Sequence, residues 1–252
     1  MNKRTVVITG GGTGMGQATA WKFAQNGDMV YIIGRRKDEL EKTAKKYPTI
    51  FPVVGDVTKL SDMQKAYSVI TKKSSAIDVL VSNAGGVPRE RPENSTLEEN
   101  LQLWNSIITI NLTGAYNFIA AFKPSLASPG GRIIFVSSLA GLNGSQQGGV
   151  VGEAYAAAKA GLHGMVYTMA RTMGVDGITV NAIAPGLIDQ TDFFPNGKAP
   201  DKVKDTYMPL IPLKRLGTSD EIAAGIEFLA SKDASYITGE IMNINGGALY
   251  GR

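Results

Sequence analysis

Short runs of apolar residues alternate along this chain with longer stretches whose apolar positions recur every three or four residues. Thr5–Thr9 (TVVIT) has the unbroken apolar character of a strand covered on both faces. A glycine cluster follows, and then Ala18, Ala20, Trp21, Phe23 and Ala24 mark a helix. The same alternation continues through a strand at MVYIIG, a helix over Asp38–Lys46 and a strand at FPVVGD. Met63, Ala66, Tyr67 and Ile70 then mark a helix for which Ser61 is the expected N-cap. DVLVSNAG reads as a strand ending in a turn, residues 98–126 as a long helical stretch, and RIIFVSS as another strand. A helix carrying Tyr155, a strand at GITVNAIAPG, an irregular stretch over Leu187–Pro212, a helix over Ser219–Ala230 and a last strand at GEIMNINGG complete the pattern.

Strands that alternate with helices build βαβ units. The pattern therefore predicts an α/β fold: a single Rossmann-type domain over residues 1–252, with a doubly wound, parallel, seven-stranded sheet and helices on both faces. No linker, repeat or low-complexity segment interrupts it. In such sheets ligands bind beyond the carboxyl ends of the strands, and the unusual residues of this chain cluster at those ends.

Composition narrows the chemistry. The chain has 252 residues, 43% of them hydrophobic, with 30 glycines, no cysteine and a single histidine, His163. Disulfides and thiolate metal sites are excluded, and a histidine-based metal site is not expected. The net charge of +4 is spread along the chain without a basic run, which argues against nucleic acid and fits an anionic small ligand. No apolar run is long enough to span a membrane, and the apolar stretch after the basic start is too short for a signal peptide. The expectation is a cytoplasmic protein with no membrane partner.

TGGGTGMG, between the first strand and the first helix, places Gly10, Gly14 and Gly16 in a G-x-x-x-G-x-G spacing, with Thr13 and Met15 between. Glycines there let the backbone turn tightly and approach a pyrophosphate at the helix N-terminus. At the end of the second strand, where an NAD-type site expects an acid, the chain has Arg35 and Arg36. Guanidinium groups bind a 2′-phosphate that a carboxylate would repel, so the expected cofactor is NADP(H). Asp38 and Glu39 nearby leave a solvated helix start as the alternative. GDV places Asp56 and Val57 to hold an adenine, and SNAGG gives a second close-approach turn at Asn83, Ala84 and Gly85.

GEAYAAAKAG sets Tyr155 and Lys159 one turn apart on one helix face. Either the tyrosine is a core aromatic and the lysine reaches for water, or the ammonium favours the phenolate and the pair transfers a proton. Ser137 and Ser138 end the fifth strand, where a hydroxyl can donate to a carbonyl oxygen beside Tyr155. Asn111 is a polar amide in an apolar helical surround and needs hydrogen-bond partners. It is a satisfied core amide, a bend in the helix or part of a proton relay.

Taken in order, TGGGTGMG, GDV, the NAG of Asn83–Gly85, Asn111, Ser138, Tyr155-x-x-x-Lys159 and Pro185-Gly186 resemble the short-chain dehydrogenase/reductase family over essentially the whole chain. The general outline is similar to 3-oxoacyl carrier-protein reductases. The resemblance implies that Tyr155 is the acid/base and Ser138 positions the substrate oxygen. It implies that Lys159 binds the nicotinamide ribose and lowers the tyrosine pKa, and that Asn111 holds a water linking Lys159 to solvent. Ile188 and Thr191 would touch the carboxamide, and residues 187–212 would form a mobile substrate lid. A homotetramer and a small-molecule ketone or secondary alcohol substrate are also implied, with an NAD-dependent alcohol dehydrogenase or a non-catalytic NADP-binding protein as alternatives.

This chain departs from the family pattern in several places. Ser82 stands in the usual NNAG. Thr13 lies where some NADP-using members carry a basic residue. The stretch from Ser138 to Tyr155 is longer than usual, and Asp176 replaces the basic residue expected before GITVN for docking an acidic carrier protein. Phe193, Phe194, Tyr207 and Met208 in the lid suggest a partly apolar substrate, while Lys198, Lys202 and Lys204 either face solvent or meet an anionic group. His163 is expected on the helix surface or at an interface, and Trp21 and Trp104 as core or interface aromatics.

Overall fold

β1 (Thr5–Thr9) is buried at every position because helices cover both of its faces. Val6 and Ile8 point to one apolar cluster and Val7 to the other. The computed structural model describes residues 3–88, 95–146, 148–189, 191 and 197–250. β2 (Met29–Gly34), β3 (Ile50–Val54), β4 (Val79–Ser82), β5 (Arg132–Val136), β6 (Thr179–Pro185) and β7 (Ile241–Ile244) complete one parallel seven-stranded sheet in the order β3-β2-β1-β4-β5-β6-β7. The chain builds outward from β1 to β3 and then returns to lay β4 on the other side of β1, so the strand order reverses between β1 and β4. A crevice opens at such a reversal.

α1 (Gly14–Gln25), α2 (Lys37–Ala44) and α9 (Ser219–Leu229) cover one face, where Phe23, Leu40, Ile134, Ile183 and Ile226 join Val6 and Ile8. α3 (Leu60–Thr71), α5 (Gly114–Phe122) and α7 (Gly149–Met173) cover the other, where Phe118, Phe122, Phe135 and Leu162 join Val7. α4 (Leu97–Ile108) packs against α7, with Ile107, Val151 and Ala154 buried between them. α1 has a weakly sided pattern because it is wedged between the sheet and α9, and its Ala18, Ala20 and Ala24 allow the close approach. Thr218 and Glu221 form a reciprocal capping box that starts α9 cleanly.

The sequence pattern meets this architecture element by element, with local corrections. Lys59, not Ser61, is the N-cap of α3, because the turn closed by Lys59 N–H on the Asp56 carbonyl (3.0 Å) carries the chain directly into the helix. The long helical stretch is α4, a π-helical turn at Thr109–Thr113, α5 and a short 3₁₀ turn at Lys123–Ser125. The stretch expected to be irregular contains α8 (Asp201–Tyr207) and a 3₁₀ turn at Met208–Leu210. The long Ser138–Tyr155 connection is shortened by α6 (Ala140–Asn143) and by α7 starting at Gly149. Phe193 and Phe194 lie outside the described residues.

Candidate active site

A cleft of about 950 Å³ runs along the carboxyl ends of the strands at the reversal between β1 and β4. Gly10, Thr13, Gly14 and Met15 line it from the loop between β1 and α1, Arg35 and Arg36 from the end of β2, Asp56 and Val57 from the end of β3, and Asn83, Ala84 and Gly85 from the end of β4. Tyr155, Lys159 and Thr191 line it from the far side.

Gly14 sits at φ +54°, a region an L side chain rarely adopts, and marks the entry to α1. Gly16 is needed for another reason. A Cβ there would overlap the Gly10 carbonyl oxygen and lie 2.5 Å from Asn83 Nδ2. The glycine loop is thus held down on the β4 turn: Asn83 Nδ2 donates to the Thr9 carbonyl (3.0 Å) and the Gly10 carbonyl (3.2 Å). Thr9 Oγ1 accepts from the backbone N–H of Asn83 and of Ala84, each at 3.1 Å. Thr191 also comes back to this loop, since a Cβ on Gly14 would meet it at 3.5 Å. A cradle that excludes side chains at a helix N-terminus fits the pyrophosphate of a dinucleotide.

At the β2 end, Arg36 Nη2 donates to Thr13 Oγ1 (3.2 Å), so its guanidinium leans across the loop where Thr13 offers no charge of its own. Arg35 is exposed in the cleft. Glu39 also reaches the cleft, but Lys42 Nζ holds its carboxylate at 2.8 Å. Burial opposes ionisation of Asp56, but hydrogen bonds from the Thr58 N–H and hydroxyl, with Arg35 nearby, prevail and hold it below the usual carboxylate range. These donors fit a phosphorylated ribose on this side of the cleft.

The other end carries the proton-transfer candidates. Tyr155 and Lys159 lie on the face of α7 turned to the end of β5. Ser138 is hydrogen-bonded to the Tyr155 phenol. The Ala140 N–H donates to Ser138 Oγ (3.1 Å), which leaves the serine proton to be given away. Ser137 is buried and turned elsewhere, donating to the Lys159 carbonyl (3.1 Å). Of the paired serines, Ser138 is therefore the one brought to Tyr155.

Lys159 does not reach for water. It is buried, and Nζ donates to the Val136 carbonyl (2.8 Å). β4 ends at Ser82, paired with Phe135, so this carbonyl has no β4 partner and is open to the ammonium. Burial brings the Lys159 pKa down to about 8. For Tyr155 the outcome reverses the expected direction: burial pushes the phenol up from its ordinary value, and the Ser138 hydrogen bond offsets only part of this. The ammonium stands 5.6 Å from the ring centroid and spends its hydrogen bond on the strand.

Asn111 sits in the π-helical turn and is fully buried. Its Oδ1 accepts from Gly86 N–H (2.9 Å), and its Nδ2 donates to the carbonyls of Gly86 (2.7 Å) and Ile107 (2.9 Å). The amide thus clamps the turn after β4. Gly85 is pressed between Asn111 and Lys159, where a Cβ would meet Oδ1 at 2.6 Å and Nζ at 3.3 Å.

Pro185, Gly186 and Ile188, expected beside the cofactor, are not among the residues lining the cleft. Gly186 N–H pairs with the Ile244 carbonyl (3.0 Å), the Pro185 carbonyl accepts from Leu139 N–H (2.9 Å), and Ile188 is buried beside Gly217. Sequence reasoning missed Thr9, whose only signal is a hydroxyl ending a buried strand. It also misplaced His163, which is buried against Ser137 and not on the surface. Trp104, like Val87, Val150 and Tyr155, is partly buried against the cluster of Ile107, Val151 and Ala154, and Trp21 is half-buried with its Nε1–H on the Thr43 carbonyl (3.1 Å).

A dinucleotide-type cradle joined to a Ser-Tyr-Lys cluster on a parallel sheet defines a class of nicotinamide-dependent oxidoreductases. The chain belongs to the short-chain dehydrogenase/reductase family: the family model described as enoyl-(acyl carrier protein) reductase matches residues 10–248. It is 36% identical over 250 residues to the 3-oxoacyl-[acyl-carrier-protein] reductase FabG of Thermotoga maritima, covering 97% of both chains. It is 31% identical over 255 residues to the 3alpha-hydroxysteroid dehydrogenase of Mediterraneibacter gnavus, covering 98% of both. The crystal structure of gox2181 superposes with a TM-score of 0.87 at 28% identity, over 98% of this chain and 96% of that one.

Proposed function

We propose that this chain is an NADP(H)-dependent oxidoreductase that interconverts a small ketone and its secondary alcohol, with Tyr155 as acid/base. The observation that carries this reading is the Ser138–Tyr155 hydrogen bond, set one turn from buried Lys159 in the cleft that Arg35 and Arg36 also enter. The Tyr155–Lys159 spacing and the names of the relatives favour a carbonyl over the enoyl double bond in the family model's description.

NADPH, when bound, supplies the hydride to the carbonyl carbon. Its pyrophosphate would lie on the loop of Gly10, Gly14 and Gly16, and its 2′-phosphate against Arg35 and Arg36. Ile188 and Thr191 would border the nicotinamide end. Tyr155 gives its proton to the carbonyl oxygen, and Ser138, already holding a donor N–H on its own oxygen, donates a hydrogen bond to the same atom. A phenol kept protonated by burial suits the acid role in reduction. Lys159 is charged at neutral pH and available to the ribose hydroxyls while anchored on Val136. The amide of Asn111 keeps the turn at Gly85 and Gly86 in place.

Val87, which lines the cleft and packs with Trp104 and Val150 against the cluster of Ile107, Val151 and Ala154, favours a substrate with an apolar body. Exposed Leu97, Leu101, Tyr116 and Tyr167 on α4, α5 and α7 support a homotetramer. Residues 187–212 remain our assignment for the substrate lid, and among the described residues no helix is long and apolar enough to cross a membrane. The test is NADPH oxidation with a panel of ketones and a 3-oxoacyl thioester, run beside Tyr155→Phe. Turnover in the parent that falls about 10²–10⁴-fold in the variant, with NADPH still bound, is expected. Retained turnover in the variant overturns the assignment.

A further inference from the structure

Three consecutive residues at the end of β5 are laced to three successive turns of α7. The Val136 carbonyl takes Lys159 Nζ (2.8 Å), Ser137 engages His163, and Ser138 bonds Tyr155. The reaction described above uses the outer two of these links and leaves the middle one without a role. His163 is the chain's single histidine and is 7% exposed. Its Nε2 lies 2.7 Å from Ser137 Oγ. Ser137 has one hydroxyl proton and directs it to the Lys159 carbonyl (3.1 Å). The serine oxygen then accepts from His163, which places the proton of a neutral imidazole on Nε2.

A neutral ring is what this position supports. Burial and the Lys159 ammonium one turn away both disfavour imidazolium. Among the described residues, no carboxylate is set against the ring to compensate. α6, the π-helical turn and β6 carry no ionisable side chain, the one charged residue of β5, Arg132, lies at its opposite end, and the residue just after β5 is the neutral Ser137. Glu98 and Glu99 of α4 and Asp176 of the 3₁₀ turn after α7 are exposed to solvent. On α7 itself Glu153 and Arg171 are exposed, and Tyr155 is engaged by Ser138. A proton added to His163 would create a second buried cation beside Lys159, a strain that moving the ring off Ser137 to water would relieve.

We propose that His163 is a positioning residue whose imidazole, acting through Ser137, sets the register of the β5 end on α7, and whose protonation releases that register and turns the site off in acid. The inference rests on the oxidoreductase reading for its catalytic consequence, whereas the state of the ring can be read without turnover.

The experiment combines the pH profile of kcat for NADPH-dependent ketone reduction with NMR of ¹³C-labelled histidine, which reports one ring in this chain. Wild type, His163→Gln and His163→Leu are compared. The wild-type ring is expected to charge below the ordinary histidine value of about 6.5, and the acid limb of kcat to follow the same titration. Glutamine can donate to Ser137 without titrating, so H163Q should keep kcat at neutral pH within about threefold and lose the acid limb. Leucine removes the link, and H163L should lose about tenfold in kcat. An unchanged acid limb in H163Q, or a ring that charges at or above the ordinary value, overturns the proposal. If H163L does not fold, the glutamine profile and the ring titration decide it. Turnover that survives in Tyr155→Phe removes the parent reading instead, and leaves the ring titration to stand or fall alone.

Discussion

Lys159 Nζ donates to the carbonyl of Val136 at 2.8 Å, inside a surround that leaves the residue 4% exposed. A lysine in that position is held at a cost to folding. Its pKa falls from 10.5 to about 8, which corresponds to about 3 kcal/mol against the charged native state. Below about pH 8 both folded and unfolded chains hold the proton and the penalty is complete. Between there and 10.5 the unfolded chain holds a proton that the folded one has released, so the penalty is relieved as pH rises. Lys159→Met lacks this dependence. Urea unfolding of both proteins across that range should show wild type gaining on the variant by about 3 kcal/mol. A stability difference independent of pH contradicts the buried, charged lysine. The variant should also lose ketone reduction.

Arg35 and Arg36 divide their work unequally. Arg36 is tied to Thr13, while Arg35 faces the cleft beside Asp56. Arg35→Ala should weaken NADPH binding by about 1.5–3 kcal/mol, the worth of a hydrogen bond to a charged group, or roughly ten- to a hundredfold. NADH affinity should be unaffected. Fluorescence titrations with both cofactors at low and high salt check this, since the lost term is electrostatic and salt-screened. Equal losses for both cofactors would place Arg35 outside the 2′-phosphate site.

The fold was legible in the sequence because its signals are local. Runs such as TVVIT and RIIFVSS are apolar throughout, and glycines and polar turns mark where each strand ends. The Tyr155–Lys159 pair was legible because helix geometry fixes residues four apart on one face. What was not legible depends on partners far along the chain. His163 reads as a surface residue until Ser137, 26 positions earlier, is brought beneath it. The phenol shift went the other way because the direction depends on burial and on where Nζ points, and neither is written in the spacing. α8 was missed because residues 201–207 are strongly polar and give little apolar periodicity.

Gly16 is fixed by the space above it. A methyl group there overlaps the Gly10 carbonyl oxygen and presses on Asn83 Nδ2, the group that holds the loop to the β4 turn. Backbone and a hydrogen-bonded amide cannot move aside as the end of a flexible side chain can. Gly16→Ala should therefore destabilise by about 1–3 kcal/mol and lose most of its affinity for both NADPH and NADH. Thermal denaturation and cofactor titration measure the two effects, and wild-type binding in the variant would mean that the loop does not carry the pyrophosphate.

Asn111 joins the π-helical turn to the loop after β4 through a single amide that saturates the Gly86 N–H, the Gly86 carbonyl and the Ile107 carbonyl. Asn111→Ala leaves those backbone groups without the side chain. A buried group left unpaired costs about 1–3 kcal/mol, less at the half-buried Gly86 where water can take over, so a net loss of about 2 kcal/mol is expected. Asn111→Asp keeps an acceptor for Gly86 N–H but turns the former Nδ2 into an oxygen facing two carbonyl oxygens, and should be no better than alanine unless the carboxyl is protonated. The two variants therefore separate on acidification: the aspartate protein regains stability relative to the alanine protein as pH falls, because its protonated carboxyl can donate again. Chemical unfolding at neutral and mildly acidic pH decides it. Parallel pH dependence in the two variants would show that Asn111 acts through its oxygen alone, with Nδ2 a bystander at Gly86 and Ile107.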